Sequence, residues 1–98
     1  MTPQEILLKA ADYYDRLGWC QKAMSIKDGR RSSVRVWEYP DEVCLIGAIF
    51  YAAIEIKDAN LALGAIEKAC GSKAASWNDT PGRTKEEVVA KLREAAEL

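Results

Sequence analysis

Apolar residues recur at steps of three and four over Ile6, Leu7, Ala10, Tyr14 and Leu17, with Lys9, Asp12, Asp15 and Arg16 between them. That is the period of an amphipathic helix. Thr2-Pro3-Gln4-Glu5 adds a hydroxyl cap, a proline at the first helical position and a glutamate three residues after the cap, and Gly18 offers a left-handed stop. The spacing predicts a first helix over residues 3–17. Beyond Trp19 the period vanishes and turn residues gather at Ser25, Asp28, Gly29, Ser32 and Ser33. Asp28-Gly29 is a hairpin signal, and the alternation in Ala23-Met24-Ser25-Ile26 and Val34-Arg35-Val36-Trp37 predicts its two strands.

Tyr39-Pro40-Asp41-Glu42 reads as the start of a second helix, followed by a run from Val43 to Ile54 that carries no charge. Such a run is too short to span a bilayer, which needs about twenty residues, so it reads as a buried central helix. Asp58 is placed to cap a third helix that stops at Gly71, with one further turn from Ser72 through Trp77. Thr80-Pro81-Gly82-Arg83 has the residues of a type II turn and leads into Thr84-Lys85-Glu86-Glu87, a second capping box. A last helix buries Val88, Val89, Leu92, Ala95 and Ala96. The expected fold is mainly α: one domain over residues 1–98, a compact four- to five-helix bundle with a short hairpin-like excursion between helices one and two.

Composition narrows the chemistry. The chain has 98 residues, 49% hydrophobic and 30% charged, a size that buries only roughly 60–65% of the unfolded surface and needs most of its apolar residues for the core. Histidine is absent, which removes Ser-His-Asp and Cys-His nucleophile pairs and His-ligated metals. Cys20, Cys44 and Cys70 fit no CxxC spacing, and an odd count makes a poor disulfide framework. The expectation is a cytoplasmic protein with no metal, no cofactor and no membrane association, made without a signal peptide because no basic region precedes an apolar stretch at the start.

Net charge is −1, but its distribution is uneven. Lys22, Lys27, Arg30, Arg31 and Arg35 face only Asp28 within that stretch, and Trp37 follows it. Such a segment docks on an acidic protein surface, grips phosphates with stacked bases, or simply keeps an exposed hairpin edge soluble. A second polar cluster, Trp77, Asn78, Asp79 and Arg83, reads as Asx-turn chemistry or as an aspartate paired with Arg83 or a hairpin arginine. Trp19, Trp37 and Trp77 all fall at junctions, where core packing is the favoured role and exposure marks a binding hot spot.

Trp19-Cys20-Gln21, Asp28-Gly29-Arg30, Cys44-Leu45-Ile46-Gly47-Ala48-Ile49 and the block from Trp77 to Thr84 together resemble a family of small uncharacterised proteins found in bacteria, phages and prophages. The resemblance covers nearly the whole chain and implies a compact helical domain in a mobile-element setting, where small proteins often inhibit host machinery such as CRISPR defence. It supplies no activity and no functional residues. The expected function is a non-enzymatic protein-binding module with Lys22, Lys27, Arg30, Arg31, Arg35 and Trp37 as its contact. The alternative is a nucleic-acid-binding accessory protein using the same segment, and a third reading is a small enzyme built from Cys20, Asn78 and Asp79. The identity of a partner and homo-oligomerisation stay open.

Overall fold

The computed structural model describes residues 1–98. Thr2 closes its capping box with Glu5 and starts α1 (Pro3–Tyr13), which presents Ile6, Leu7, Ala10 and Ala11 to the core. The helix stops four residues short of the predicted Leu17, because the Tyr14 ring turns inward and its hydroxyl donates to the Val43 carbonyl at 3.0 Å. Residues 14–17 then make turn hydrogen bonds back to Ala11, Asp12 and Tyr13, and the chain enters a short strand, β1 (Gly18–Trp19).

Three further strands overturn the expectation of a mainly helical bundle. β2 (Ser25–Lys27) and β3 (Arg30–Ser32) form the hairpin, β4 (Glu42–Val43) follows, and the order across the sheet is β1-β4-β2-β3. β1 runs parallel to β4, with Trp19 beside Val43, and β4 runs antiparallel to β2, with Ser25 beside Val43. With five helices covering 52% of the chain beside this mixed sheet, the fold is α/β. The hairpin turn is Asp28-Gly29 as expected, with left-handed φ of 51° and 78°, and pairs Lys27 with Arg30. The second strand is therefore residues 30–32 and not 34–37: a two-residue turn pairs the residues that flank it, whatever their polarity.

The sheet also delays the second helix. Asp41 N–H donates to the Ile26 carbonyl and Cys44 N–H to the Met24 carbonyl, so residues 41–44 are extended where a helix start was expected at Pro40. α2 (Leu45–Ala52) begins at Cys44, whose sulfur accepts the Gly47 N–H at 3.3 Å. A Cβ at Gly47 would collide with the Met24 carbonyl oxygen, so the glycine lets the first turn of α2 lie against the hairpin. Ile54 falls outside the helix and is 84% exposed.

α3 (Ile56–Cys70) starts after Glu55 rather than at Asp58, which lies in the first turn, and ends at Gly71 with φ 72°. α4 (Ala74–Asn78) is a short helix, and α5 (Lys85–Ala96) opens with the Thr84–Glu87 capping box after a turn in which Gly82 has φ 85°. The core joins Ile6, Leu7 and Tyr14 of the first segment to Val43, Leu45, Ile49, Ile66, Val88 and Leu92. Alanines at 10, 11, 48, 52, 59 and 62 are buried between them and let the helices approach closely. No helix is long and apolar enough to cross a membrane.

Candidate functional site

The basic segment folds as the hairpin and the loop that leaves it. Lys27 donates to the Tyr39 carbonyl at 2.8 Å, and an Arg31 guanidinium nitrogen lies 3.4 Å from the Gln21 carbonyl. Arg35 stacks on the Trp37 ring at 4.3 Å, and the indole N–H of Trp37 donates to the Arg30 carbonyl at 3.1 Å. Lys22 has a left-handed φ of 62°, held by its N–H donating to Asp79 Oδ1 at 2.9 Å. None of the five cations forms an ion pair; the salt bridges are Lys57–Glu55, Arg83–Glu87, Lys91–Glu94 and Arg93–Asp12. The acids that follow in sequence do return to the same flap: Asp41 accepts the Asp28 N–H, and Glu42 lies across from Ile26. The cations thus sit on the hairpin and its flanks, Lys27, Arg30 and Arg31 on β2 and β3, with Lys22 before the hairpin and Arg35 after it.

Two exposed residues of this loop escape pattern reading. Val34, a strand position by alternation, is 86% exposed, and Tyr39, a helix start by its proline, is 73% exposed. They flank the Arg35–Trp37 stack. Trp, Tyr and Arg are the residue types enriched where interfaces carry their binding energy.

The second predicted cluster has a different construction from either expected form. Asn78 is 1% exposed and joins three distant segments. Its Oδ1 accepts from the Trp19 indole at 2.7 Å and from the Leu45 N–H at 3.0 Å, while its Nδ2 donates to the Cys20 carbonyl at 3.1 Å and to Asp79 Oδ1 at 3.0 Å. Gln21 extends the junction, donating to the carbonyls of Asn78 and Thr80, both at 3.0 Å. Asp79 therefore serves Lys22 and Asn78 and is not paired with an arginine. Arg83 instead lies over the Trp77 ring at 3.8 Å, donates to the Trp77 carbonyl and pairs with Glu87 at 3.1 Å. Trp19, Trp37 and Trp77 are each half-buried.

Cys20, Asn78 and Asp79 thus converge, as the enzymatic reading requires, with the Asn78 amide and Asp79 Oδ1 engaged in the junction's own hydrogen bonds. Burial, with the neighbouring Cys44 and Glu42, pushes the Cys20 thiol up to about 12, and its sulfur contacts the Ala23 carbonyl at 3.7 Å. Burial also raises Cys44, against the Gly47 N–H that favours its thiolate. Buried thiols held protonated are poor nucleophiles. No group of His, Cys, Asp and Glu is arranged to hold a metal ion. Beside the Asn78 junction lies an open hollow of about 230 Å³ walled by Ala23, Met24, Cys44, Ile46 and Ala75, with Lys22, Ser33 and Asp79 completing its lining.

The motif blocks around Trp19, Cys44 and Asn78, far apart in sequence, therefore meet at one junction that ties the flap to the helices. No curated protein and no solved structure matches the chain. A family model matches along its whole length, residues 1–98, and the chain belongs to that family, described as a family of unknown function (DUF6197).

Proposed function

We propose that this chain is a non-enzymatic protein-binding module whose contact surface is the flap between Lys22 and Tyr39. The observation that carries the reading is the Arg35–Trp37 stack standing between exposed Val34 and Tyr39, beside cations that form no ion pair within the chain. An aromatic and arginine cluster on a loop tied to the hairpin by hydrogen bonds from Trp37 to Ser25 Oγ and the Arg30 carbonyl loses little conformational freedom on binding, which favours affinity. An ordinary interface takes about 800 Å² from each partner, a small share of the 5609 Å² this chain exposes. In a phage or prophage setting such a module acts by occluding a host protein, a CRISPR effector being one example.

The test is recovery of partners from host lysate on the wild-type chain and on Arg30→Glu/Arg31→Glu/Arg35→Glu. Loss of a specific partner with the triple variant supports the flap as the contact, and equal recovery removes it. Gel shifts with DNA and RNA at low salt decide the nucleic-acid alternative. Binding that falls steeply with salt would replace the protein reading, because phosphate contacts release counterions. The acids Glu38, Asp41 and Glu42 beside the cations favour a protein surface over a phosphate backbone.

A further inference from the structure

We propose that the hollow at the foot of the hairpin receives one apolar side chain from an acidic segment of the partner protein. The inference rests on the protein-binding reading and gives the partner's contacting segment its chemistry. Cys20, Ala23 and Cys44 form a small apolar cluster apart from the main core, with Met24, Ile26 and Ile46 packed against it. Ala23, Met24, Cys44 and Ile46 of this group also wall the hollow, where the half-buried Met24 and Ile46 leave apolar surface open beside the buried Ala23 and Cys44. A volume of about 230 Å³ suits one anchor: an apolar cavity of about 150 Å³ is enough for a benzene ring.

The hollow is continuous with the proposed contact surface, because Ser33, which lines it, precedes the exposed Val34. Two cations and one acid border it. Lys22 lies in its lining, and Arg31 reaches the carbonyl of Gln21, the residue before Lys22. Neither side chain has an acidic partner within the chain. Asp79, the one acid in the lining, already accepts the Lys22 N–H and an Asn78 amide hydrogen at Oδ1. The complement is therefore a leucine, methionine or phenylalanine that enters the hollow, with aspartates or glutamates on either side of it reaching Lys22 and Arg31. An anchor in a pocket surrounded by polar contacts is the usual arrangement of an interface hot spot.

The probe is a phage-displayed library of random dodecapeptides, selected on the full chain. Ala75→Tyr fills the hollow from the exposed side of α4, and Ser33→Trp covers it from the loop, so a folding defect in one variant leaves the other to decide. The expected result is a consensus of one large apolar residue between acids. Synthetic peptides of that consensus should lose about tenfold or more in affinity when the anchor is changed to alanine or when either hollow-blocking variant is used. Lys22→Glu/Arg31→Glu should weaken them as well. Selected peptides that bind both blocking variants as well as wild type overturn the pocket. If those peptides are lost on Arg30→Glu/Arg35→Glu, the flap survives as a contact surface without its anchor site; no enrichment over unselected peptides overturns both.

Discussion

Changing Asn78 to aspartate alters one atom of a buried junction, and the structure dictates how that change must depend on pH. The amide nitrogen of Asn78 donates to the Cys20 carbonyl and to Asp79 Oδ1. An oxygen at that position faces two acceptors unless it carries a proton. Burial and the adjacent Asp79 carboxylate both disfavour the ionised form, so the introduced carboxyl titrates above its unfolded value of about 3.9 when folded. Between those two values the folded state binds more proton than the unfolded state. The variant therefore loses stability as pH rises, by about 1.4 kcal/mol per pH unit within the window. A rise of about two to three units gives a deficit of about 3–4 kcal/mol near pH 8, on top of a small and constant loss at pH 4. Against a total of about 5–15 kcal/mol for a domain of this size, that is a large fraction. The measurement is urea unfolding followed by circular dichroism at several pH values, taken as the difference from wild type. Asn78→Leu is the control: it strands the Trp19 indole N–H, the Leu45 N–H and the Cys20 carbonyl, at about 1–3 kcal/mol for each that stays buried, with little pH dependence. Parallel wild-type and Asn78→Asp curves from pH 4 to 8 would refute the assignment of the junction as a closed hydrogen-bond network.

Gly47→Ala should cost about 1–3 kcal/mol in chemical denaturation, because the added methyl meets the Met24 backbone and not a yielding side chain; a neutral substitution would show that α2 can move off the hairpin freely. Burial raises all three thiols, so access decides their order: alkylation of the native protein at pH 8, read by mass spectrometry, should label the half-buried Cys70 well before the buried Cys20 and Cys44; rapid labelling of Cys20 would contradict its packing. Glu87 is lowered first by the Arg83 guanidinium and then by the Thr84 cap. A depressed carboxylate stabilises the fold above its unfolded value, and that contribution is lost as pH falls through its folded value, so α5 should fray below about pH 4.5. Carboxyl titration by NMR should show Glu87 returning toward its ordinary value in Arg83→Ala and, to a lesser degree, in Thr84→Ala; no change in Arg83→Ala would remove the guanidinium as the cause.

What the sequence makes legible follows from the range of the interactions involved. The two capping boxes, the Gly71 stop and the Asp28-Gly29 turn are written within a few consecutive residues, and each stands where local chemistry places it. The strands β1 and β4 are two residues each, too short for any period to register, and they exist because residues 18–19 meet residues 42–43 across a long separation. β3 is Arg30-Arg31-Ser32, a polar stretch that alternation passes over in favour of Val34–Trp37, since its pairing is set by the backbone of the turn. The same limit hid the junction. An asparagine and an aspartate in a turn-rich block suggest bonds to their own backbone, whereas Asn78 and Asp79 bond chiefly to residues more than thirty positions away. A tryptophan at position 19 needing an indole acceptor was the available signal, but nothing in the sequence names that acceptor.

The parallel pairing of β1 with β4 brings the two ends of the flap together: Gly18 N–H donates to the Asp41 carbonyl and Cys20 N–H to the Val43 carbonyl. The chain leaves the helical body and re-enters it at neighbouring points, so the body does not depend on the path taken at the far tip. Closing a longer excursion costs only about 0.6 kcal/mol for each doubling of its length. Insertions at Asp28-Gly29 should therefore leave the helices in place, and the helical body becomes a platform from which the turn can be lengthened into a new recognition loop.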